Sequence, residues 1–594
     1  MRGRGSVLLA VCAVLTGTVM SCSNGTDPVE DATAEGQVTV DMVKATTSIR
    51  TALAANSADH ELPADYVWDS ARVIPIVLNG TWITESTDSA TAEGSTVTIT
   101  SGGTYSLTGS LSDGQVLVNA SDEGTVRLIL NGIDLKNSTG SPFAVTKAEK
   151  VVIVLADNSA NVITDATSYV FPDPDEDEPN AALFSKADMT ICGNGSLTVK
   201  GNYNDGIASK DGLIIKNGTI TVHAVDDGIR GKDYLVIKDG TVTVISMGDA
   251  LKSDNDEDAT RGYISIESGS VTATAGMDGL TAETDAIIAG GTFTLTTGGG
   301  SNASVSSSVS AKGIRGLVSV IIGDGTFSVS SADDAIHSNS TIVINGGTFA
   351  LASGDDGVHA DSLLGVNGGD IVISKCFEGL ESCVLVINDG TMHITASDDG
   401  INGAGGKDAS GAGGWPGGMP SSGNYYLYIA GGHIAVTAAG DGIDVNGRIV
   451  MKDGTVLVNG PTSNNNGALD YDASFQMTGG VLLAAGSSGM AQAPSASSTQ
   501  YALMMNFGSS RAAGTVFHIQ AADGSDILTF KPAKPYQSIV FGSAKLTKGA
   551  TYDVYIGGNS TGTATDGLYE GGTYSGGTKS ASFTVTSTIT RVNG

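Results

Sequence analysis

The feature that most restricts what this chain can become is a motif that returns about every 22 residues through its middle. It consists of an acidic turn closed by Gly or Ala, a short β-branched run, then Gly-Thr and a second run. Asn204-Asp205-Gly206-Ile207, Asp226-Asp227-Gly228-Ile229 and Gly248-Asp249-Ala250-Leu251 open the series. After a longer step comes Met277-Asp278-Gly279-Leu280. The register then returns at Asp333-Asp334-Ala335-Ile336, Asp355-Asp356-Gly357-Val358, Phe377-Glu378-Gly379-Leu380 and Asp398-Asp399-Gly400-Ile401, with weaker copies at Asp441 and near Gly467. A period this short means a solenoid, because one unit cannot bury its own apolar face and must stack on its neighbours. Runs such as Leu213-Ile214-Ile215 and Val384-Leu385-Val386-Ile387 are too short for helices and rich in β-branched residues. The glycine of each Gly-Thr supplies a turn position where φ is positive. Short strands and turns in each coil describe an all-β protein, a parallel β-helix, for which the right-handed form is expected. A unit this short leaves no room for the crossover helix of a leucine-rich horseshoe.

Stacking turns the repeat into chemistry. Coils sit about 4.8 Å apart, so equivalent side chains form ladders along the outside. Asp205, Asp227, Asp249 and Asp278 are expected in one column, and Asp334, Asp356, Glu378 and Asp399 in another. Carboxylates that close repel, and oxygen-only clusters favour Ca²⁺ over metals that seek His or Cys. Calcium is therefore the expected cofactor, with these aspartates as candidate ligands. Asp254, Asp256 and Asp258 alternate directly after the Asp249 turn and join them, although the Gly and distal Glu of an EF-hand loop are absent. The competing reading makes each Asp a turn former that binds nearby backbone N–H groups. A second acidic run, Asp173 to Glu178, is broken by Pro172 and Pro174, is followed by Pro179, and reads as a solvated insertion.

The 594-residue chain carries a net charge of −32 and 82 glycines, yet its regular β pattern argues for a folded protein. Such charge makes nucleic acid and anionic membrane surfaces poor partners unless calcium bridges them. Arg2 and Arg4 precede an apolar stretch from Val7 to Val19 that is too short to span a membrane and reads as a signal peptide. Val19-Met20-Ser21-Cys22 resembles a bacterial lipobox, so residues 1–22 read as a lipoprotein signal with Cys22 as the lipidated residue. The alternative is an ordinary secretory signal with an incidental cysteine. The expectation is an exported monomer anchored on the bacterial cell surface. Residues 23–65 read as a polar tether with some helical potential, and 66–200 as the first, irregular stretch of the solenoid. The regular repeats fill 201–489, interrupted by a glycine-rich insertion over 403–423 that carries Trp415. Residues 490–594 lose the period and read as a small β cap, which solenoids need. Cys376 and Cys383 flank one turn and are placed to pair after export, while Cys192 reads as a core residue.

Three consecutive stretches carry a resemblance: Asn202-Tyr203-Asn204-Asp205-Gly206-Ile207-Ala208-Ser209-Lys210-Asp211, then Val225 to Asp233, then Gly248 to Asn255, with Leu130-Asn131-Gly132-Ile133-Asp134-Leu135 upstream. From about Val97 to the C-terminus the chain resembles a bacterial family of exported carbohydrate-binding β-helix proteins. The resemblance implies a right-handed parallel β-helix akin to pectate lyases, bound calcium, and association with cellulose and acidic plant polysaccharides such as pectate. The serine-rich insert Ser301 to Ser310 and the long step from Asp278 to Asp334 depart from the pattern and interrupt the expected column.

Binding and catalysis compete as readings. A lyase would hold a uronate through calcium and remove its C5 proton with a basic residue. Arg230 and Lys252 stand three residues after Asp227 and Asp249, and Lys210 and Lys232 five after Asp205 and Asp227, so a basic column borders the acidic one. Lys252 with Arg230 is the candidate catalytic pair, but so many carboxylates should raise a lysine pKa and spoil it as a base. As a binder the protein would use Lys210, Arg230, Lys232 and Lys252 for sugar carboxylates and hydroxyls. Tyr203, Tyr234, Tyr263 and Trp415 would serve as aromatic platforms. His337 and His359 share a repeat position and read as a surface ladder. A third reading is a structural adhesin or spacer, roughly 50 Å long for about eleven coils. The preferred expectation is a calcium-dependent polysaccharide-binding protein, with the pectate-type lyase as the alternative.

Overall fold

A computed structural model describes residues 42–56, 61–84, 87–122, 124–171, 173, 175–404 and 425–594. Cys22, the leader over 1–22, Trp415 and most of the insertion over 403–423 lie outside the described residues. The repeat folds as the periodicity requires, because each strand pairs in parallel with its equivalent one coil further on. Three parallel sheets result. The first runs through Asp205–Ser209, Ile229–Gly231, Leu251–Ser253, Leu280–Ala282, Ile314–Gly316 and Ile336–Ser338 to Leu469–Tyr471. The second runs through Gly212–Ile215 and Tyr234–Ile237 to Ser474–Met477, and the third through Thr219–Ala224 and Thr241–Ser246 to Val481–Gly486. The expected parallel β-helix is what the chain forms.

The core follows from the alternation. Ile207, Ile229, Leu251, Leu280, Ile314, Ile336 and Val358 stack in one buried file inside the first sheet. Each such side chain contributes about 1.5–3 kcal/mol of burial. Inside the third sheet Phe293, Phe327 and Phe349 stack at ring-centroid distances of 4.8 and 4.6 Å, almost parallel. The Gly-Thr glycines are needed for space as well as for φ. At Gly240, where φ is +110°, a Cβ would stand 2.7 Å from the carbonyl oxygen of Gly218 on the preceding coil.

Both ends are closed. At the N-terminal end, Ile74–Gly80 with Ile83–Thr84 and Ala90–Glu93 with Thr96–Ile99 form antiparallel hairpins beside the first coils. At the other end Tyr536–Ser543 pairs antiparallel with Val481–Gly486 and Ala502–Arg511. A six-stranded antiparallel sheet folds back from there over the third sheet. The outward positions of that sheet change to match: Thr221, Thr243 and Thr272 on early coils give way to Leu457 and Leu483, buried in the apolar cluster of the C-terminal domain.

Residues 42–56 and 61–68, most of them in the segment expected to be a polar tether, are packed against the body. Short helices Met42–Ala45 and Ile49–Ala55 lie across the outside of the second sheet. Ala45 sits against Leu363, Val386 and Tyr426, and Ala52 against Ile287, Ile321 and Val343. Asn367 and Asn345 donate from Nδ2 to the carbonyls of Ala45 and Thr47, each at 3.0 Å. Further on, Glu61 pairs with Lys216 at 2.6 Å and Asp65 with Lys150 at 2.5 Å. This strap runs opposite to the growth of the solenoid. Cys192 is buried under it, and Cys376 and Cys383 are both free thiols.

Candidate functional site

The acidic turn residues form one continuous ladder beside the first sheet, built on backbone contacts between coils. Asp227 Oδ1 accepts the N–H of Asp249, and Asp249 Oδ1 that of Asp278, each at 2.9 Å. Asp205 accepts from Asp227 at 3.3 Å, Asp334 from Asp356 at 2.9 Å, Asp356 from Glu378 at 3.1 Å and Asp399 from Asp441 at 2.6 Å. The turn-forming reading is thus half right: the carboxylates do bind backbone N–H groups, but those of the next coil. A hydrogen bond to a charged group is worth about 1.5–3 kcal/mol, so the ladder clamps successive coils. The long step from Asp278 to Asp334 hides one more coil. Its rung is Lys312, whose N–H donates to Asp278 Oδ1 at 2.8 Å and whose Nζ meets Asp334 Oδ2 at 2.7 Å and Asp333 Oδ1 at 2.9 Å. The motif Ala311-Lys312-Gly313-Ile314 was the signal, with a lysine where the repeat has an acid.

The second carboxylate oxygens face a neighbouring file of side chains, three residues after each rung. Arg230, Lys252, Thr281, Arg315, His337, His359, Glu381, Asn402, Asp444 and Asp470 are successive members. Lys252 Nζ lies 2.9 Å from both Asp227 Oδ2 and Asp249 Oδ2. Burial pulls this ammonium down, but Asp249 and Asp227 overrule it and hold it above the ordinary lysine range. Arg230 grips Asp254 at 2.6 and 3.0 Å and only approaches Asp205 at 3.9 Å. The Asp205 carboxyl, with burial and Asp227 both against its charge, is pushed up to about 7. Burial and Asp278 raise Asp249 to about 6 despite Lys252. Arg315 reaches Asp278 Oδ2 at 3.4 Å. His337 Nδ1 bonds Asp334 at 2.8 Å, and burial of Asp334 is outweighed by Lys312 and His337, which hold its carboxyl below the usual range. His359 has carboxylates at both ring nitrogens: Asp356 at 3.0 Å and Glu381 at 2.8 Å on Nδ1, and Asp361 at 3.2 Å on Nε2. That arrangement fits an imidazolium, pushed up to about 12 by Asp356 and Glu381 against its burial. The histidines expected as a surface ladder are therefore buried members of the basic file.

Toward the C-terminal end the file turns acidic. Among the described residues no Lys or Arg lies within salt-bridge reach of Asp399, Asp441, Asp444 or Asp470. Burial, then Asp398 and Asp441, pushes Asp399 up to about 8; burial with Asp441 and Asp470 brings Asp444 to about 7; burial with Asp470 brings Asp441 to about 6. This donor set is oxygen-only and rich in carboxylates, which suits Ca²⁺.

The serine-rich insert roofs a cleft of about 480 Å³ over the middle of the basic file, with Ser307 to Ser310 above and Lys312, Arg315, Asp333, His337 and Asp361 around it. The other sequence-predicted residues are spread elsewhere. Lys210 pairs with Glu178 at 2.7 Å, which docks the proline-broken acidic insertion, and Lys232 lies 4.0 Å from Glu257. Tyr203 is partly exposed and stacks on Tyr169 at 4.2 Å, whereas Tyr234 and Tyr263 are buried against each other and offer no platform. Asp254 is engaged by Arg230. Asp258 bonds its own loop at Thr260 and pairs with Arg261, and Asp256 sits between the two in the same loop.

A relative from Acetivibrio thermocellus described as a carbohydrate-binding domain-containing protein is 45% identical over 128 residues, 22% of this chain and 45% of its own length. The match thus spans about half of that relative. A solved structure of the polysaccharide lyase-like protein from C. thermocellum, a gadolinium derivative, is 30% identical, covers 46% of this chain and 96% of its own, and has a TM-score of 0.36. The family model for carbohydrate-binding domain-containing proteins matches residues 93–357 and 356–575, most of the solenoid and its cap, and the chain belongs to that family.

Proposed function

We propose that the protein is a calcium-dependent polysaccharide-binding protein that takes an acidic glycan along the first sheet, exported and anchored on the cell surface through Cys22. The observation that carries this reading is the cleft under Ser307 to Ser310. Arg315, Lys312 and His337 offer hydrogen-bond donors there, serine hydroxyls surround them, and carboxylates stand close by. Asp278, Asp333 and Asp334 already neutralise those cations, so a uronate carboxylate would gain little from them alone and needs a divalent ion as a bridge. The acidic rungs Asp399 and Asp441, with Asp444 of the neighbouring file, make the same demand further along. Coil rise, about 4.8 Å, is close to the length of one pyranose unit, so successive sugars can meet successive coils.

The lyase alternative is weaker at Lys252. An ammonium held between two carboxylates keeps its proton at neutral pH and cannot abstract another. The deciding experiment incubates the chain lacking residues 1–22 with polygalacturonate and with cellulose, in calcium or chelator, and follows retention together with absorbance of unsaturated uronate. Calcium-dependent retention that weakens in Arg315→Gln, without new absorbance, supports the binder. Absorbance that rises and vanishes in Lys252→Ala would make it a lyase, and equal retention of the variant and wild type would remove the cleft from the site.

A further inference from the structure

Two histidines break the repeat on adjacent coils of the third sheet. The first outward position of that sheet is Thr219, Thr241, Ser270, Thr292, Thr326 and Thr348 on successive coils, then Asp370 and Thr391, and then His433 before Thr455. Two residues on, the file reads Ala350, Val372, His393 and Ala435. Nothing in sheet pairing asks for imidazole at either place. What the two share is a partner from the C-terminal domain. His433 Nε2 lies 2.7 Å and His393 Nε2 3.1 Å from the same atom, Asp566 Oδ2.

Asp566 is held there firmly. Thr563–Thr565 and Leu568–Glu570 form a hairpin in which Thr565 faces Leu568, so Asp566-Gly567 is its two-residue turn. Both φ angles are positive, +47° and +87°, as the tight primed turn demands. Lys531 N–H donates to the Gly567 carbonyl at 2.8 Å, and Phe530 pairs with Leu568, which fixes the hairpin to the six-stranded sheet. Asp-Gly is explained by the turn alone, but the convergence of both imidazoles on its carboxylate is not.

We propose that His393, His433 and Asp566 form a site for a divalent transition metal of borderline softness, zinc above all, which clips the C-terminal domain onto the flank of the solenoid. Two imidazole nitrogens and one carboxylate oxygen are the ligand set of such ions and not of calcium. Bonds of about 2.0–2.1 Å in a tetrahedron place ligand atoms about 3.3 Å apart, and the three atoms here already lie within 4.8 Å of one another. All three side chains are partly exposed, His393 by 40% and the others by about a quarter, so an ion can enter and water can complete its shell. The two ligand sources, a solenoid face and a hairpin tip, meet only when the C-terminal domain is docked, so binding stabilises docking.

The test uses the full chain, loaded with Zn²⁺ and dialysed, beside three variants chosen to keep the fold: His433→Thr, which restores the repeat residue; His393→Ala, as on the next coil; and Asp566→Asn, which keeps the turn. Wild type should retain one zinc per chain more than each variant. Co²⁺ substitution should give visible d–d bands that the variants lose. Each substitution should weaken binding by more than the roughly 10- to 100-fold that loss of an outer-shell partner costs. Equal zinc in wild type and all three variants overturns the proposal, because zinc would then reside at the enclosed Asp334, His337 and His359 group or elsewhere. So does absence of retained zinc, including the case in which the variants alter only the pH dependence of domain docking.

Discussion

Two stretches of the same ladder solve one electrostatic problem in opposite ways. From Asp278 to Asp356 each rung's free carboxylate oxygen meets a basic side chain supplied by the chain: Arg315 at Asp278, Lys312 and the His337 ring at Asp334, and His359 at Asp356. From Asp399 to Gly467 the backbone clamp is the same, with Asp441 and Gly467 donating to the preceding Asp, but the neighbouring file holds Asn402, Asp444 and Asp470 and, among the described residues, no Lys or Arg. The difference teaches that the repeat specifies the hydrogen bond, and that charge balance is left to the position three residues on. Where that position is basic the coils carry their own counter-ions. Where it is acidic they need protons or metal.

The sharpest way to break the comparison is one isosteric change made in both stretches. Asp334→Asn leaves buried Lys312 and His337 facing a neutral amide and should cost about 3–5 kcal/mol in denaturant unfolding, the range for stripping a buried pair of one partner. Asp399→Asn keeps the acceptor for the Asp441 N–H while removing a charge that its surroundings oppose. In chelator at pH 8 it should be neutral or stabilising. Equal losses in the two variants would abolish the distinction.

Proton and calcium titration should sharpen it. Asp399, Asp444 and Asp441 have folded pKa values of about 8, 7 and 6, above the ordinary carboxyl value near ~3.9. Their stabilising contribution is therefore complete below about pH 4 and is lost as pH rises through about 6 to 8. Asp334, held low, has the opposite sign: its contribution is present above the ordinary carboxyl value and is lost on acidification. Thermal unfolding in chelator should thus weaken between pH 5 and pH 8, and added calcium should raise the midpoint more at pH 8, where it need not displace protons. A calcium effect equal at both pH values would contradict this. Lys252→Ala should cost less than Asp334→Asn, about 1–2 kcal/mol in denaturant unfolding: the ammonium it removes is a quarter exposed, so solvent replaces part of what is lost.

The coils were legible because their signals are local and periodic: strand runs, Gly-Thr turns and the acidic rung all recur in one register. Lys312 escapes the acidic pattern because a lysine stands where the repeat has an acid, and the insert before it disguises the spacing. His337 and His359 share a visible repeat position, but that it is also the position of Arg230 and Lys252 shows only once the hidden coil of Lys312 is counted. The strap was illegible for a different reason. Its contacts are small alanines and backbone carbonyls meeting asparagines about 300 residues away, and no local pattern marks such partners. Asp566 reads as half of a hairpin turn, and only tertiary packing shows what its carboxylate touches.

The strap has a mechanical consequence. Ala45 lies beside the coils of Leu363 and Tyr426, well along the rod, and from there the segment runs back toward its N-terminal end. The chain at residue 42 thus emerges from the side of the solenoid and not from its tip. A tensile load applied there would peel the strap away one contact at a time, beginning with Ala45, before it reached any strand of the helix.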